Sequence, residues 1–371
     1  MCFVGYYNLP ILAPEFGHLP GAGGEEVQHT LLATALAARG FDVSMVVHDL
    51  GQADGTIWSG VRTVKAFAPH AGIPVVRFIH PRWSGLWSAL RRADAAVYYV
   101  STAGVHVGQV VLFARLYGRK VIFRVAHDAN CSRDTLMIKY RRDRALYEYG
   151  LRRVDTILAQ TEVQQRMLHD NYGVASQLAR MPVDMPDGVC EFAARDIDLL
   201  WVNNLRRFKR ADLYLELAAL LPAAELHMIG GEVQGFEDLY REIRARSTTV
   251  ANLHHHGAVP YHAVNAYYER AKVFVNTSDS EGFPNSYLQA WARGTPVVAF
   301  FDPDGLIARH GLGMAVNSLG EMRDAIESLR HDAAQWAQVS ARCRAYMTRE
   351  YDMDSILVPY ADAVRSLAAA R

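Results

Sequence analysis

Residues 278–291 read Ser-Asp-Ser-Glu-Gly-Phe-Pro-Asn-Ser-Tyr-Leu-Gln-Ala-Trp, and their polar groups are spaced to meet one ligand. Gly282 lets backbone come close to a bound group, with Phe283 beside it. Pro284, Asn285 and Ser286 are helix-start residues, so unpaired amides should point out of the helix end, an arrangement that suits a phosphate. Glu281 precedes that helix and Gln289 lies about one turn inside it. Helical side chains lean toward the N-terminus, so both can reach the same ligand. The plainer alternative, an ordinary strand-to-helix turn, fits the local pattern equally well.

Other candidates stand at the ends of apolar runs. Lys209 closes Asn204-Leu205-Arg206-Arg207-Phe208-Lys209, just after the run 198–202. His127 follows the run 121–125, where an imidazole can donate or accept a hydrogen bond near a reacting atom. Gly23 and Gly24 open an Ala/Leu-rich helix whose dipole favours anions. The segment 21–26 lacks the third glycine of a dinucleotide fingerprint and no strand immediately precedes it, which argues against a nicotinamide enzyme. The triple histidine His254-His255-His256 before Gly257 reads as a loop and lacks a carboxylate at metal-site spacing, so no metal is expected. His18, His29 and His106 carry less weight, and Asp302-Pro303-Asp304 reads as a turn.

Short β-branched runs alternate with helical segments throughout. Strands are expected at 41–47, 61–67, 75–79, 95–100, 120–125 and 156–159, with helices at 27–39, 84–92, 105–117, 135–153 and 162–172. Prolines and a glycine at 179–188 suggest a linker. Beyond it, strands at 198–202, 225–229, 273–275 and 296–300 alternate with helices at 211–221, 236–247 and within 259–270. Helices at 321–330, 333–346 and 353–370 close the chain. This is the pattern of parallel sheets covered on both faces. Ligands of such sheets lie at the carboxyl ends of the strands.

At 371 residues the chain has room for about two domains; 39 basic and 39 acidic residues balance, so bulk charge does not favour nucleic acid. Cys2, Cys131, Cys190 and Cys343 show neither CxxC pairing nor metal spacing, which fits reduced thiols. The start lacks a basic signal-peptide region and no apolar run has transmembrane length, so a cytoplasmic protein is expected. In 82–92, Trp83, Leu86, Trp87 and Leu90 share a helical face beside Arg82, Arg91 and Arg92. That face either packs on its own sheet or rests peripherally on the inner face of a membrane.

Gly23-Gly24-Glu25 before a helix ending Ala38-Arg39-Gly40, Asn204-Leu205 with Lys209, and Glu281-Gly282-Phe283-Pro284-Asn285 together resemble the family-4 retaining glycosyltransferases. The resemblance spans nearly the whole chain. It implies the GT-B fold: α/β, two Rossmann-like doubly wound domains facing across a cleft, residues 1–183 on the acceptor side and 184–350 on the donor side. Residues 351–371 would form a helix returning to the first domain. It further implies transfer from a nucleoside diphosphate sugar to a glycan, lipid-linked or small-molecule hydroxyl, with no metal or cofactor. Glu281 then contacts the donor sugar, Gln289 stands where a ribose-binding glutamate is expected, and Lys209 neutralises the diphosphate. Asn204 occupies an arginine position, which Arg206 or, by preference, Arg207 would compensate. His127 would lie on the acceptor side of the sugar and the backbone at Gly257 would line the base pocket. The expected chemistry is front-face substitution, in which the protein supplies charge and position. An epimerase using similar donor contacts and a catalytically impaired sugar-binding relative remain alternatives.

Overall fold

In a computed structural model that describes residues 1–17, 19 and 23–370, the chain divides into two units: Met1–Pro182 with Met353–Arg371, and Val183–Asp352. Gly21 and Ala22 of the glycine-rich run, and His18, lie outside the described residues.

The first unit is built on strands β1 (Cys2–Val4), β2 (Val43–Val47), β3 (Ile57–Trp58), β4 (Val61–Lys65), β5 (Val97–Ser101), β6 (Lys120–Arg124), β7 (Thr156–Ala159) and β8 (Gln177–Leu178). They form a sheet in the order β3-β4-β2-β1-β5-β6-β7-β8, parallel except where β3 meets β4. The central strands β1, β2 and β5 are buried along their whole length, which their continuous apolar composition requires of a sheet covered on both faces. One face packs on the helices Ser84–Ala93, Val105–Leu116 and Arg141–Leu151, and the last two approach closely at Gly108 and Gly150. The helix Met353–Ala369 packs against the helix Gly24–Ala38, β5 and β6.

Two expected elements of this unit differ. Residues 75–79 form no strand: Val75 has φ 78°, a 3-10 turn covers Val76–Phe78, and a π turn covers Ile79–Trp83. The β-branched composition misled here: Pro74 and Pro81 bracket the segment, and Val75 is 95% exposed, with nothing to pack on. The helix expected over 135–153 is confined to Arg141–Leu151, the stretch that contributes Tyr147, Gly150 and Leu151 to the interior. The helix Ser84–Ala93 buries Leu86, Ala89, Leu90 and Ala93 and packs Trp87 against the same core, so its apolar face is committed to its own sheet. Among the described residues no helix is long and apolar enough to cross a membrane.

The second unit contains β9 (Ile197–Val202), β10 (Leu226–Ile229), β11 (Leu253–His255), β12 (Ala271–Asn276), β13 (Val297–Ala299) and β14 (Gly313–Ala315). All are parallel, in the order β11-β10-β9-β12-β13-β14. The chain runs outward from β9 through β10 to β11, then returns to β12 and proceeds the other way. Its topological switch point therefore lies between β9 and β12, where open α/β sheets hold ligands. In the first unit the same reversal falls between β1 and β5. The histidine triplet is not a loop: Leu253–His255 is the edge strand, and His256 continues its ladder by donating its amide to Met228 O at 2.9 Å.

Candidate active site

The second unit's switch point is a polar rim on an apolar strand. β12 enters as buried Val273, Phe274 and Val275 and leaves as Asn276, Thr277 and Ser278, all buried. The side chains of Asn276 and Thr277 each hold a neighbour. Thr277 Oγ1 donates to the carbonyls of Lys209 and Arg210, 2.9 Å each, and accepts from Trp201 Nε1 at 3.0 Å. Asp279 N–H donates to Phe208 O at 2.9 Å. The loop after β9 is thereby tied to the loop after β12, and Lys209 is brought to Glu281, 72 residues on.

Lys209 Nζ and Glu281 Oε2 form an ion pair with side chains only 13% and 7% exposed. Asn276 Nδ2 donates to the other carboxylate oxygen, Oε1, at 3.3 Å, and Asn276 Oδ1 accepts the Ser278 amide at 2.7 Å. Asn276 thus fixes the carboxylate at one oxygen while lysine engages the other. Enclosed charges of this kind interact more strongly than on a surface, and each holds the other in a defined place.

The helix Asn285–Ala292 begins immediately afterwards with Pro284 at its cap. Its cap residue Pro284 offers no side-chain cap and no acidic residue lies in its first turn, so the dipole of this helix start favours an anion. Tyr287 and Trp291 anchor the helix, donating to Phe301 O at 2.8 Å and Leu312 O at 3.1 Å. Gln289 Nε2 donates to Asn265 Oδ1 at 3.1 Å, so this residue is half-buried and held by the neighbouring helix.

On the β9 side Asn204, Arg206 and Arg207 are exposed. Arg206 caps and Arg207 opens a short 3-10 turn, Arg207–Lys209. A residue missed from sequence is Asn203, whose Nδ2 is buried and has no hydrogen-bond partner. Two consecutive asparagines hide which of them faces inward; the strand end settles it for Asn203. Gly257 adopts φ 67°, a conformation open chiefly to glycine, and its carbonyl accepts the Gly230 amide at 2.9 Å. A Cβ on Gly230 would stand 2.8 Å from Asn203 O, so the backbone here is packed too closely for any larger residue. The turn expected at Asp302 is present: its carboxylate accepts from the amides of Ile307 at 2.8 Å and Ala308 at 3.1 Å, a helix-capping role that occupies it structurally.

In the first unit Gly23 caps the helix Gly24–Ala38, and its N–H donates to Glu26 Oε2 at 2.9 Å. Thr102, which follows β5 with φ 61°, donates to Glu25. This helix start therefore carries two carboxylates of its own, unlike the one at Asn285, and offers an anion less than its glycines suggested. His127 caps the 3-10 turn Asp128–Cys131, its Nδ1 accepting from the Ala129 amide at 3.0 Å. Asn130 Oδ1 accepts from the Ala126 and His127 amides, which fixes the backbone that carries the ring. His29 is wholly buried against Phe3 and Tyr99, and burial with the nearby Arg124 pushes its pKa down to about 3.

Paired switch points in two parallel-sheet units define the GT-B class of glycosyltransferase fold. Similar architectures include sucrose-phosphate synthase from Thermosynechococcus elongatus (TM-score 0.76, 17% identity, 100% of this chain and 99% of that one). HepE from Anabaena, solved in complex with UDP and glucose, has a TM-score of 0.75 at 13% identity over 98% of this chain and 99% of its own. A glycosyltransferase from Rickettsia africae has a TM-score of 0.71 at 11% identity over 99% and 97%. No curated protein sequence matches the chain. Residues 196–332 match the family described as glycosyl transferases group 1, and residues 23–184 match the glycosyl transferase 4-like domain. The chain belongs to the group 1 glycosyltransferases.

Proposed function

We propose that the protein is a retaining glycosyltransferase that takes a sugar from a nucleoside diphosphate donor and passes it to a hydroxyl acceptor. The observation that carries this reading is the enclosed Lys209–Glu281 pair at the β9/β12 switch point, beside a helix start with no acidic residue in its first turn. An anionic leaving group placed there meets the lysine ammonium and the positive end of the helix at Asn285 and Ser286. The Asn203 amide faces the same strand end. These groups stabilise charge that grows as the glycosidic bond to phosphate breaks, which is where such donors lower a barrier most. Glu281, held by Asn276 and Lys209, accepts from sugar hydroxyls. The Gln289 amide nitrogen is engaged by Asn265, which leaves its carbonyl oxygen to accept from a ribose hydroxyl. Arg207 is the preferred additional cation for the diphosphate, and Gly257 presents backbone to the base.

Because the carboxylate of Glu281 is tied up by a lysine and an amide, it is a poor nucleophile for a covalent sugar intermediate. Front-face substitution fits better: the departing phosphate oxygen takes the acceptor proton on the face that it leaves. His127 is assigned to hydrogen bonding at the donor sugar on the acceptor side. UDP accompanies several of the similar structures and is the first donor base to try. Peripheral contact with an anionic membrane, if the acceptor is lipid-linked, is assigned to Ile73, Val75, Val76 and Ile79, which are 54–95% exposed and stand beside Arg77. A panel of nucleotide sugars incubated with polyol, glycan and lipid acceptors tests the proposal, with the anomeric configuration of the product read by NMR. An inverted product, or donor turnover to an epimeric sugar without acceptor, would refute it.

A further inference from the structure

Away from the donor site, the free edge of the second sheet gathers four metal-binding side chains. β10 and β11 are parallel neighbours in the register His227↔His254. Side chains alternate across a strand, so Glu225 and His227 share a face of β10 with His254 and His256 of β11, while His255 turns to the other face and meets Gly230 O at 3.1 Å. The result is that ligand atoms of Glu225, His227 and His254 come together, with His256 adjoining them through His227.

The distances already approach those of a coordination shell. Glu225 Oε2 lies 2.8 Å from His254 Nε2, and His256 Nε2 lies 3.0 Å from His227 Nδ1. Ligand atoms of Glu225, His227 and His254 all fall within 4.8 Å of one another. Ligands about 2.0 Å from a tetrahedral ion are about 3.3 Å apart, so small side-chain rotations suffice. Glu225 and His254 are about half exposed, which leaves an entry path. The ring of Tyr267 backs His256 and His227 at centroid separations of 4.9 and 6.2 Å, and the nearby Arg270 is neutralised by Asp196.

We propose that Glu225, His227, His254 and His256 form a binding site for a divalent transition-metal ion of the zinc type. Three imidazoles and one carboxylate suit Zn²⁺ and exclude the all-oxygen preference of Mg²⁺ or Ca²⁺. The ion pins the edge strand β11, which has only β10 as a partner, and it does so one residue before Gly257. The carboxylate that the histidine triplet lacks in its own segment comes from the neighbouring strand.

The test uses untagged, full-length protein in a Zn²⁺ competition titration against a chromophoric chelator. One equivalent should bind to the wild type. His227→Ala/His254→Ala should weaken that binding by about 100-fold or more, since even an outer-shell partner is worth 10- to 100-fold. His331→Ala should leave it unchanged, although His331 also pairs with a carboxylate, Glu327, at 2.7 Å. Substitution with Co²⁺ should produce the visible absorption of a four-coordinate ion in the wild type and lose it in the double variant. Thermal unfolding without metal checks that the double variant is folded. Failure of the wild type to bind one equivalent, or full retention of Zn²⁺ by the folded double variant, would overturn the proposal.

Discussion

At the residue scale the account turns on which atoms are already spoken for. Glu281 is held at both oxygens, and Lys209 is its partner, so the two should act as a unit. Lys209→Met or Glu281→Leu alone leaves a charge enclosed without its counterpart, so the two single losses of stability should sum to more than the loss in the double Lys209→Met/Glu281→Leu protein. A coupling of about 1–3 kcal/mol is expected from denaturant melts of the four proteins in the cycle. Gln289 invites the opposite kind of test. Gln289→Glu places a charged acceptor at the ribose, and charge-assisted hydrogen bonds are about twice as strong as neutral ones; nucleoside diphosphates should bind about tenfold more tightly. No gain in affinity would place Gln289 outside the ribose contact. Lys209, Glu281 and Gln289 were named from the sequence by the strand-loop-helix pattern and the motif resemblance, and the structure brings Lys209 and Glu281 together. Asn276 and Thr277 were not, since their roles come from side-chain bonds to a loop some 70 residues earlier in the chain, and Asn203 was masked by its asparagine neighbour.

At the element scale, long strands and helices announced themselves by composition, whereas short or edge elements did not. β1, β8, β11 and β14 span two or three residues each and take their identity from neighbours rather than from a pattern. Residues 75–79 show the reverse error: strand-like residues between two prolines, with no sheet edge to join. The triplet at His254 looked like loop because histidine is a weak strand former; pairing with β10 decided it, and that pairing also brought Glu225 and His227 alongside. Burial has a consequence for acid stability. His29 titrates near 3 when folded and near its ordinary value of 6.5 when unfolded, so the unfolded chain binds the extra proton first. Its contribution to stability is complete above about pH 6.5 and is lost progressively as the pH falls toward 3. His29→Phe, if it packs against Phe3 and Tyr99, should flatten the loss of thermal stability across that window; an unchanged pH profile would assign the loss to other groups.

At the scale of the whole molecule, two parallel-sheet units follow from the alternation of strand and helix along the chain, and the final helix belongs with the first of them. Tyr360 donates to Arg180 O at 2.8 Å and Arg39 pairs with Asp354, both within that unit. Truncation after Asp352 should therefore increase hydrogen exchange in β5, β6 and the helix Gly24–Ala38 while leaving β9 and β12 protected. Equal loss in both units would show that the last helix stabilises more than the unit in which it packs. What composition could not reveal is the acceptor, because its recognition depends on surface shape rather than on any repeated pattern.

The measurement that bears most directly on the central claim is calorimetric titration of nucleoside diphosphates, UDP first, into the wild type and into a folded Lys209→Ala variant. Lys209 is held to be the cation that meets the donor diphosphate. Binding to the wild type with a loss of about 100-fold or more in the variant is the expected result, in line with removal of a single charge-stabilising donor from an enclosed site. Equal affinity in the two proteins, or no binding of any nucleoside diphosphate to the wild type, would contradict it.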